Sequence, residues 1–181
     1  SSFFNNPRSY RRLYFLTFSS DSAKISCLFW TRVTSNADTV IPASVEIIDL
    51  SSFYECTSLE TIQFEENSKL KRIISRAYDG TNTSYRSPFE DCTSLKTFDA
   101  SNCKEMLTTG EAMQGSTFYT CTNLSVVKLG NSEPPSLSEQ NWFYNKASNI
   151  DLYIPETSIE KYKNSTEYPW DELKFKSYNA L

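Results

Sequence analysis

The sequence has no histidine, four scattered glycines among 181 residues, and no apolar run long enough to span a bilayer. Without histidine there is no Ser-His or Cys-His nucleophile pair and no histidine general base. So few glycines leave no Gly-rich phosphate loop. The net charge of −4, without a long run of either sign, disfavours nucleic acid, which binds basic surfaces. We therefore predict a non-enzymatic protein that needs no cofactor.

Five cysteines are present, without a Cys-x-x-Cys pair, so a zinc site lacks its usual ligands. Their odd number and irregular spacing argue against a disulfide scaffold. Cys56, Cys92 and Cys121 share one offset in an internal repeat, which predicts a buried ladder of thiols. A disulfide or metal site is the alternative. The pattern assigns no role to Cys27 or Cys103.

The repeat that contains these cysteines occurs at 53–64, 89–100 and 118–129, and a weaker fourth copy begins at Phe143. In each strong copy a Phe is followed by Cys at offset three, Leu at offset six, and apolar residues at offsets nine and eleven. The spacing Leu59-x-x-Ile62-x-Phe64 is that of the strand segment of a leucine-rich repeat. Residues of equal offset would lie on successive rungs, about 4.8 Å apart.

The predicted fold is a leucine-rich repeat solenoid, a short right-handed coil with parallel strands at 59–64, 95–100, 124–129 and 150–154. Residues 37–155 form the array of about four units. Residues 1–36 are predicted to cap its start with a β-hairpin, although a diverged first repeat is the alternative. Residues 156–181 are predicted to cap its end with a helix, opened by a Thr157-x-x-Glu160 capping box. All of this is one structural domain.

The run Ile41-Pro42-x-x-Val45, followed by a Phe and then by Cys-Thr-Ser-Leu-x-x-Ile, resembles the BspA-like branch of leucine-rich repeat proteins. The resemblance covers roughly residues 40 to 175. It implies a secreted or cell-surface protein, since several members are adhesins or host-interaction proteins. The sequence shows no signal peptide, so this location rests on the resemblance.

Candidate partner-binding residues are of two kinds. The first kind points outward from the predicted strands, between buried positions, and the second belongs to a polar insertion after the first strand. The candidates are Gln63, Asp99, Lys128 and Tyr153 in the strands, and Tyr78, Tyr85 and Arg86 in the insertion.

The expected partner is a protein or a glycan, with no nucleic acid and no membrane span in this chain. A structural spacer within a larger surface protein is one alternative function. A hydrolase with a pair of carboxylates is another, because Asp and Glu are numerous. No residue is assigned a catalytic, cofactor-binding or metal-binding role.

Overall fold

Successive repeats stack as rungs of a parallel β-solenoid of about four turns. This architecture is seen in a computed structural model, which describes residues 16–19, 22–25, 37–49, 51–74, 87–106, 117–135, 150–166 and 174–178. The predicted repeat solenoid is thereby confirmed.

Two sheets contain the strands of the described residues. In chain order these strands are β1 (Leu16–Ser19), β2 (Ser22–Ile25), β3 (Ala37–Ile41), β4 (Ile47–Ile48), β5 (Leu59–Phe64), β6 (Arg72–Ile73), β7 (Thr97–Ala100), β8 (Val126–Leu129), β9 (Asp151–Pro155) and β10 (Lys174–Tyr178). The larger sheet has the order β10-β9-β8-β7-β5-β3, and the smaller has the order β1-β2-β4-β6. Every neighbouring pair in the larger sheet is parallel.

Alternation along the strands separates the core from the surface. In β7 and β8 the second and fourth residues are buried, whereas the first and third are half-buried. Side chains of a strand point alternately to its two faces, so the buried set lies inside the coil. The predicted strand at 59–64 is found at those residues, and its neighbours begin at Thr97 and Val126, two residues later than predicted.

The repeated phenylalanines form a stack inside the coil. The ring centroids of Phe53 and Phe89 are 5.1 Å apart with an interplanar angle of 10°, and those of Phe89 and Phe118 are 5.3 Å apart at 15°. Phe98 contacts both Phe89 and Phe118 edge-on. The predicted stack is confirmed for these three repeats, while Phe143 lies outside the described residues.

A turn at each repeat supports the stack with backbone hydrogen bonds between rungs. The Phe53 amide donates to the Pro88 carbonyl at 2.8 Å, and the Glu55 amide donates to the Glu90 carbonyl at 3.0 Å. Residues immediately before the repeated cysteines have a left-handed backbone, with φ of 57° at Glu55, 62° at Asp91 and 56° at Thr120. One unusual turn conformation is thus repeated on three rungs.

The first two described strands, β1 and β2, form an antiparallel pair, with Ser19 opposite Ser22. β2 then pairs parallel with β4, so it also extends the smaller sheet by one strand. The prediction that residues 1–36 form a cap remains a prediction.

The C-terminal segment differs in part from the predicted helical cap. A 3-10 helix (Glu156–Ser158) leads into a short α-helix, α1 (Ile159–Lys163). The capping-box prediction is wrong, because Thr157 lies within the 3-10 helix and neither helix has a side-chain N-cap hydrogen bond. Tyr162 is fully buried. β10, which the repeat pattern does not predict, pairs with β9 in parallel and extends the larger sheet by one more strand.

Candidate functional site

Two columns of outward residues cross the larger sheet, and together we call them the strand strip. The register aligns one residue from each strand in each column. The first column is Val40, Gln63, Asp99, Lys128, Tyr153 and Lys176, and the second is Asp38, Thr61, Thr97, Val126, Asp151 and Lys174. The strand residues predicted to point outward are therefore brought together in one row, and β3 and β10 extend it at both ends.

Asp99 and Lys128 form an ion pair at the centre of the strip. The Lys128 Nζ lies 2.7 Å from the Asp99 Oδ2, and the side chains are 38% and 16% exposed. The Ser101 amide and hydroxyl donate to the other carboxylate oxygen of Asp99, at 3.1 and 2.6 Å. The predicted contact between neighbouring strands is present. The Asp99 side chain is less exposed than predicted, and Ser101, in the turn that follows β7, lies against it.

These donors control the charge of Asp99. Burial raises the pKa of the Asp99 carboxyl, but the hydrogen bonds from Lys128 and Ser101 outweigh it and lower the pKa below its ordinary value. A general acid in a glycosidase needs a raised pKa, so that it is protonated at neutral pH. A lowered pKa does not suit Asp99 to the role of general acid.

Tyr153 is in contact with Lys176, a residue that was not among the predicted site residues. The Lys176 Nζ lies 5.5 Å from the centroid of the Tyr153 ring and 2.7 Å from the Asp151 Oδ2. The hydrogen bond with Asp151 raises the pKa of Lys176. The alternation Lys174-Phe175-Lys176 was the available sign of a strand here, because Phe175 packs against the core between two exposed lysines.

The other predicted contact residues cannot be placed on this strip. Tyr78, Tyr85 and Arg86 lie outside the described residues. Their part in binding stays a prediction from the sequence.

The repeated cysteines belong to the core. Cys56, Cys92 and Cys121 are buried and free, as predicted. The Cys121 thiol donates to the Phe89 carbonyl at 2.9 Å, so the ladder also has a polar role that the sequence analysis did not foresee. Cys103 is buried as well, and burial raises its pKa to about 12 even though Ser68 lies at hydrogen-bond distance. Within the described ranges, no group of three or more acidic or cysteine residues could hold a metal ion.

The comparison with protein families matches the repeats over residues 23–165, as a BspA type leucine rich repeat region in six copies. The chain belongs to the BspA-type leucine-rich repeat family. The match begins within β2, so the family pattern starts earlier than residue 40. No curated protein and no solved structure matches the chain.

Membership of the BspA-type family identifies the chain as a repeat module. Proteins of this family are typically secreted or surface-associated, and leucine-rich repeat solenoids are generally non-enzymatic. None of the helices in the described segments is long and apolar enough to cross a membrane.

Proposed function

We propose that this BspA-type module is secreted or displayed at the cell surface and binds a protein or glycan partner through the strand strip. The supporting observation is the alignment of the two outward columns over six neighbouring strands. Solenoids commonly bind ligands on extended faces of this kind. The family's usual location gives such a face access to external partners.

Preorganisation also supports a binding role for the strip. Asp99 receives hydrogen bonds from Lys128 and from Ser101, while Tyr153 lies beneath Lys176. A surface whose side chains are already ordered loses less conformational entropy when a ligand binds. Tyrosine is also enriched among the residues that dominate binding energy. Tyr153 is therefore the first residue to test.

A structural spacer is the competing function, and one observation favours it. Asp99 pairs with Lys128 and Asp151 pairs with Lys176, so much of the charge on the strip is already satisfied within the protein. A spacer would tolerate changes in the strip, whereas a binding module would not.

The two functions can be separated with a variant in which Gln63, Asp99, Lys128 and Tyr153 are all replaced by alanine. The wild-type and variant proteins are compared on a glycan array and against purified extracellular-matrix proteins, with circular dichroism to verify the fold. A ligand that binds the wild type and loses at least tenfold in affinity for the folded variant would support the strip as the binding site.

A matched control is the pair Lys69→Ala and Glu66→Ala, which changes two exposed residues in a turn outside the strip. This control should bind like the wild type. If the strip variant also binds every ligand like the wild type, the strip is not the site, and the segment with Tyr78, Tyr85 and Arg86 becomes the next candidate.

A further inference from the structure

The described ion pairs between successive segments of the solenoid share one orientation. Among the described residues, each such pair has its carboxylate on the earlier segment and its lysine on the later one. The pairs are Glu46–Lys71, Glu60–Lys96, Asp99–Lys128, Glu133–Lys161 and Asp151–Lys176. Each pair therefore places its positive charge one segment later in the chain than its negative charge, so the end of this series is a lysine of the last strand, β10.

The last strand, β10, has a lysine at both of its strip positions. Lys174 is exposed and forms no ion pair with any described residue, whereas Lys176 pairs back to Asp151. The strip positions of β8, β9 and β10 thus carry three lysines and one aspartate. Those of β3, β5 and β7 carry two aspartates and no lysine. We call Lys128, Tyr153, Lys174 and Lys176 the basic end of the strip.

We propose that the basic end binds an acidic polysaccharide, whose carboxylate or sulfate groups contact Lys174 and Lys176. This inference rests on the proposed binding function of the strip. An ammonium group has three N–H donors, so Lys176 keeps donors for a ligand anion while it is bonded to Asp151. The Asp151 carboxylate and the Tyr153 phenol lie on the strand beside these lysines and can form hydrogen bonds with hydroxyl groups of the sugar.

The dimensions of the strip disfavour a second copy of the chain as the occupant. Six strands about 4.8 Å apart and two columns about 7 Å apart give an area on the order of 200 Å². A stable protein complex buries about 800 Å² on each partner. A single extended polymer fits a long and narrow surface better than a folded domain does.

The composition of the basic end also favours a glycan over an acidic protein. Protein interfaces have a buried apolar or aromatic centre surrounded by a polar rim. Among the strip positions of β8–β10, Tyr153 and Val126 are the large apolar groups, and both are already half-buried within the chain. Charged and hydroxyl groups dominate what remains exposed.

Three polymers with the same backbone test the ligand class: dextran, carboxymethyl-dextran and dextran sulfate. We expect the wild-type chain to bind the two anionic polymers, to bind dextran at least tenfold more weakly, and to lose affinity as NaCl is raised, because salt screens exposed charges. The two anionic polymers distinguish carboxylate from sulfate recognition. Affinities are measured by biolayer interferometry with immobilised protein.

Two variants and one control locate the binding. Lys174→Gln breaks no described ion pair and should weaken binding about threefold, and the Lys174→Gln/Lys176→Gln double variant should weaken it about tenfold or more. The Lys69→Gln/Lys104→Gln double variant removes two exposed lysines outside the strip. Its net charge equals that of the other double variant, and it should bind within twofold of the wild type.

Several outcomes would overturn the acidic-polysaccharide inference. Absence of binding to both anionic dextrans would do so, as would an equal loss in the two double variants, because that would indicate a general charge effect. Binding of dextran as tight as that of the anionic polymers, or binding of a matrix protein without either anionic dextran, would refute the inference. If that binding is lost in the strip variant, the proposed binding function of the strip stands.

Discussion

The thiol of Cys92 donates a hydrogen bond to the carbonyl oxygen of Phe53, 39 residues earlier in the chain, across 3.0 Å. The same relation joins Cys121 to Phe89. The side chains of Cys121 and Cys56 lie beside the Cys92 thiol, and their interactions with it, together with burial, raise its pKa well above the ordinary value. Cys92 therefore remains protonated and can donate at neutral pH.

This geometry predicts how serine and alanine at position 92 differ. Cys92→Ala removes both the donor and some core volume, so we expect it to lower the free energy of unfolding by about 1–2 kcal/mol. Cys92→Ser keeps a donor for the Phe53 carbonyl and should cost no more than alanine does. Urea unfolding of both variants measures the difference. A serine variant clearly less stable than the alanine variant would mean that the thiol acts only as a small apolar group.

The phenylalanine stack predicts a large loss at its central member. Phe89 is fully buried between Phe53 and Phe118. Phe89→Ala should lower the free energy of unfolding by about 3–5 kcal/mol, since it leaves a cavity in the middle of the stack. Gln63→Ala, on the exposed face of β5, is the control and should change it by less than about 0.5 kcal/mol. Chemical denaturation that ranks the two variants in the opposite order would contradict the assigned core.

These residues were predictable because stacking requires the same residue type at the same offset on each rung. Phe53, Phe89 and Phe118 share one internal position, so the sequence showed both their spacing and their burial. The register of the strip followed from the same rule. In stacked repeats, a position that requires a particular side chain shows the same residue type at the same offset in each copy.

The strands β3 and β10 were not predictable in this way. They join the sheet through backbone hydrogen bonds, which place few demands on side-chain identity, and neither follows a copy of the repeated Phe, Cys and Leu. The basic end of the strip was missed for the same reason, because Lys174 and Lys176 belong to β10. The capping box failed because the spacing of Thr157 and Glu160 does not reveal that the chain first forms a 3-10 turn.

Gly130 is predicted to be intolerant of even a methyl group. A Cβ atom built there would overlap the carbonyl oxygen of Ser101 and would lie 3.0 Å from that of Cys103. Both atoms belong to the backbone of the preceding rung, so neither can rotate away. Gly130→Ala should therefore destabilise the protein by about 1–3 kcal/mol. Ser132→Ala, at an exposed position two residues later, is the control. In thermal unfolding, the control should have a melting temperature close to that of the wild type.

The left-handed turn residue Glu55 offers a stabilising substitution. Its side chain is exposed, and its φ of 57° is costly for any residue with a Cβ atom. Glu55→Gly should raise the free energy of unfolding by about 0.5–1 kcal/mol, because the relief of strain exceeds the entropy that glycine loses. Glu55→Val should lower it, since a β-branched side chain fits this conformation poorly. Equal stabilities of the glycine and valine variants in urea would argue against the left-handed turn.

The Asp99–Lys128 pair predicts how stability depends on pH. The pKa of Asp99 is lower in the folded protein than its ordinary value of 3.8, because the hydrogen bonds from Lys128 and Ser101 outweigh the effect of burial. A group with a lowered pKa stabilises the fold fully above its unfolded value, and this contribution is lost as the pH falls toward the folded value. The contribution of Asp99 should therefore be complete at pH 6 and diminish below about pH 4.

Comparison with Asp99→Asn isolates that contribution from those of the other carboxyl groups. At pH 6 we expect the variant to be less stable than the wild type by about 0.5–1.5 kcal/mol, a modest value because Lys128 is partly exposed. The difference should begin to shrink below about pH 4, because the carboxyl of the unfolded chain then takes up a proton that the folded carboxyl, with its lowered pKa, still excludes. Urea unfolding of both proteins at four pH values measures this difference in the free energy of unfolding. Glu66→Gln, in an exposed turn outside the strip, controls for the change in net charge and should show a smaller effect. A difference for Asp99→Asn that stays constant between pH 6 and pH 3 would show that the pair with Lys128 does not stabilise the folded solenoid.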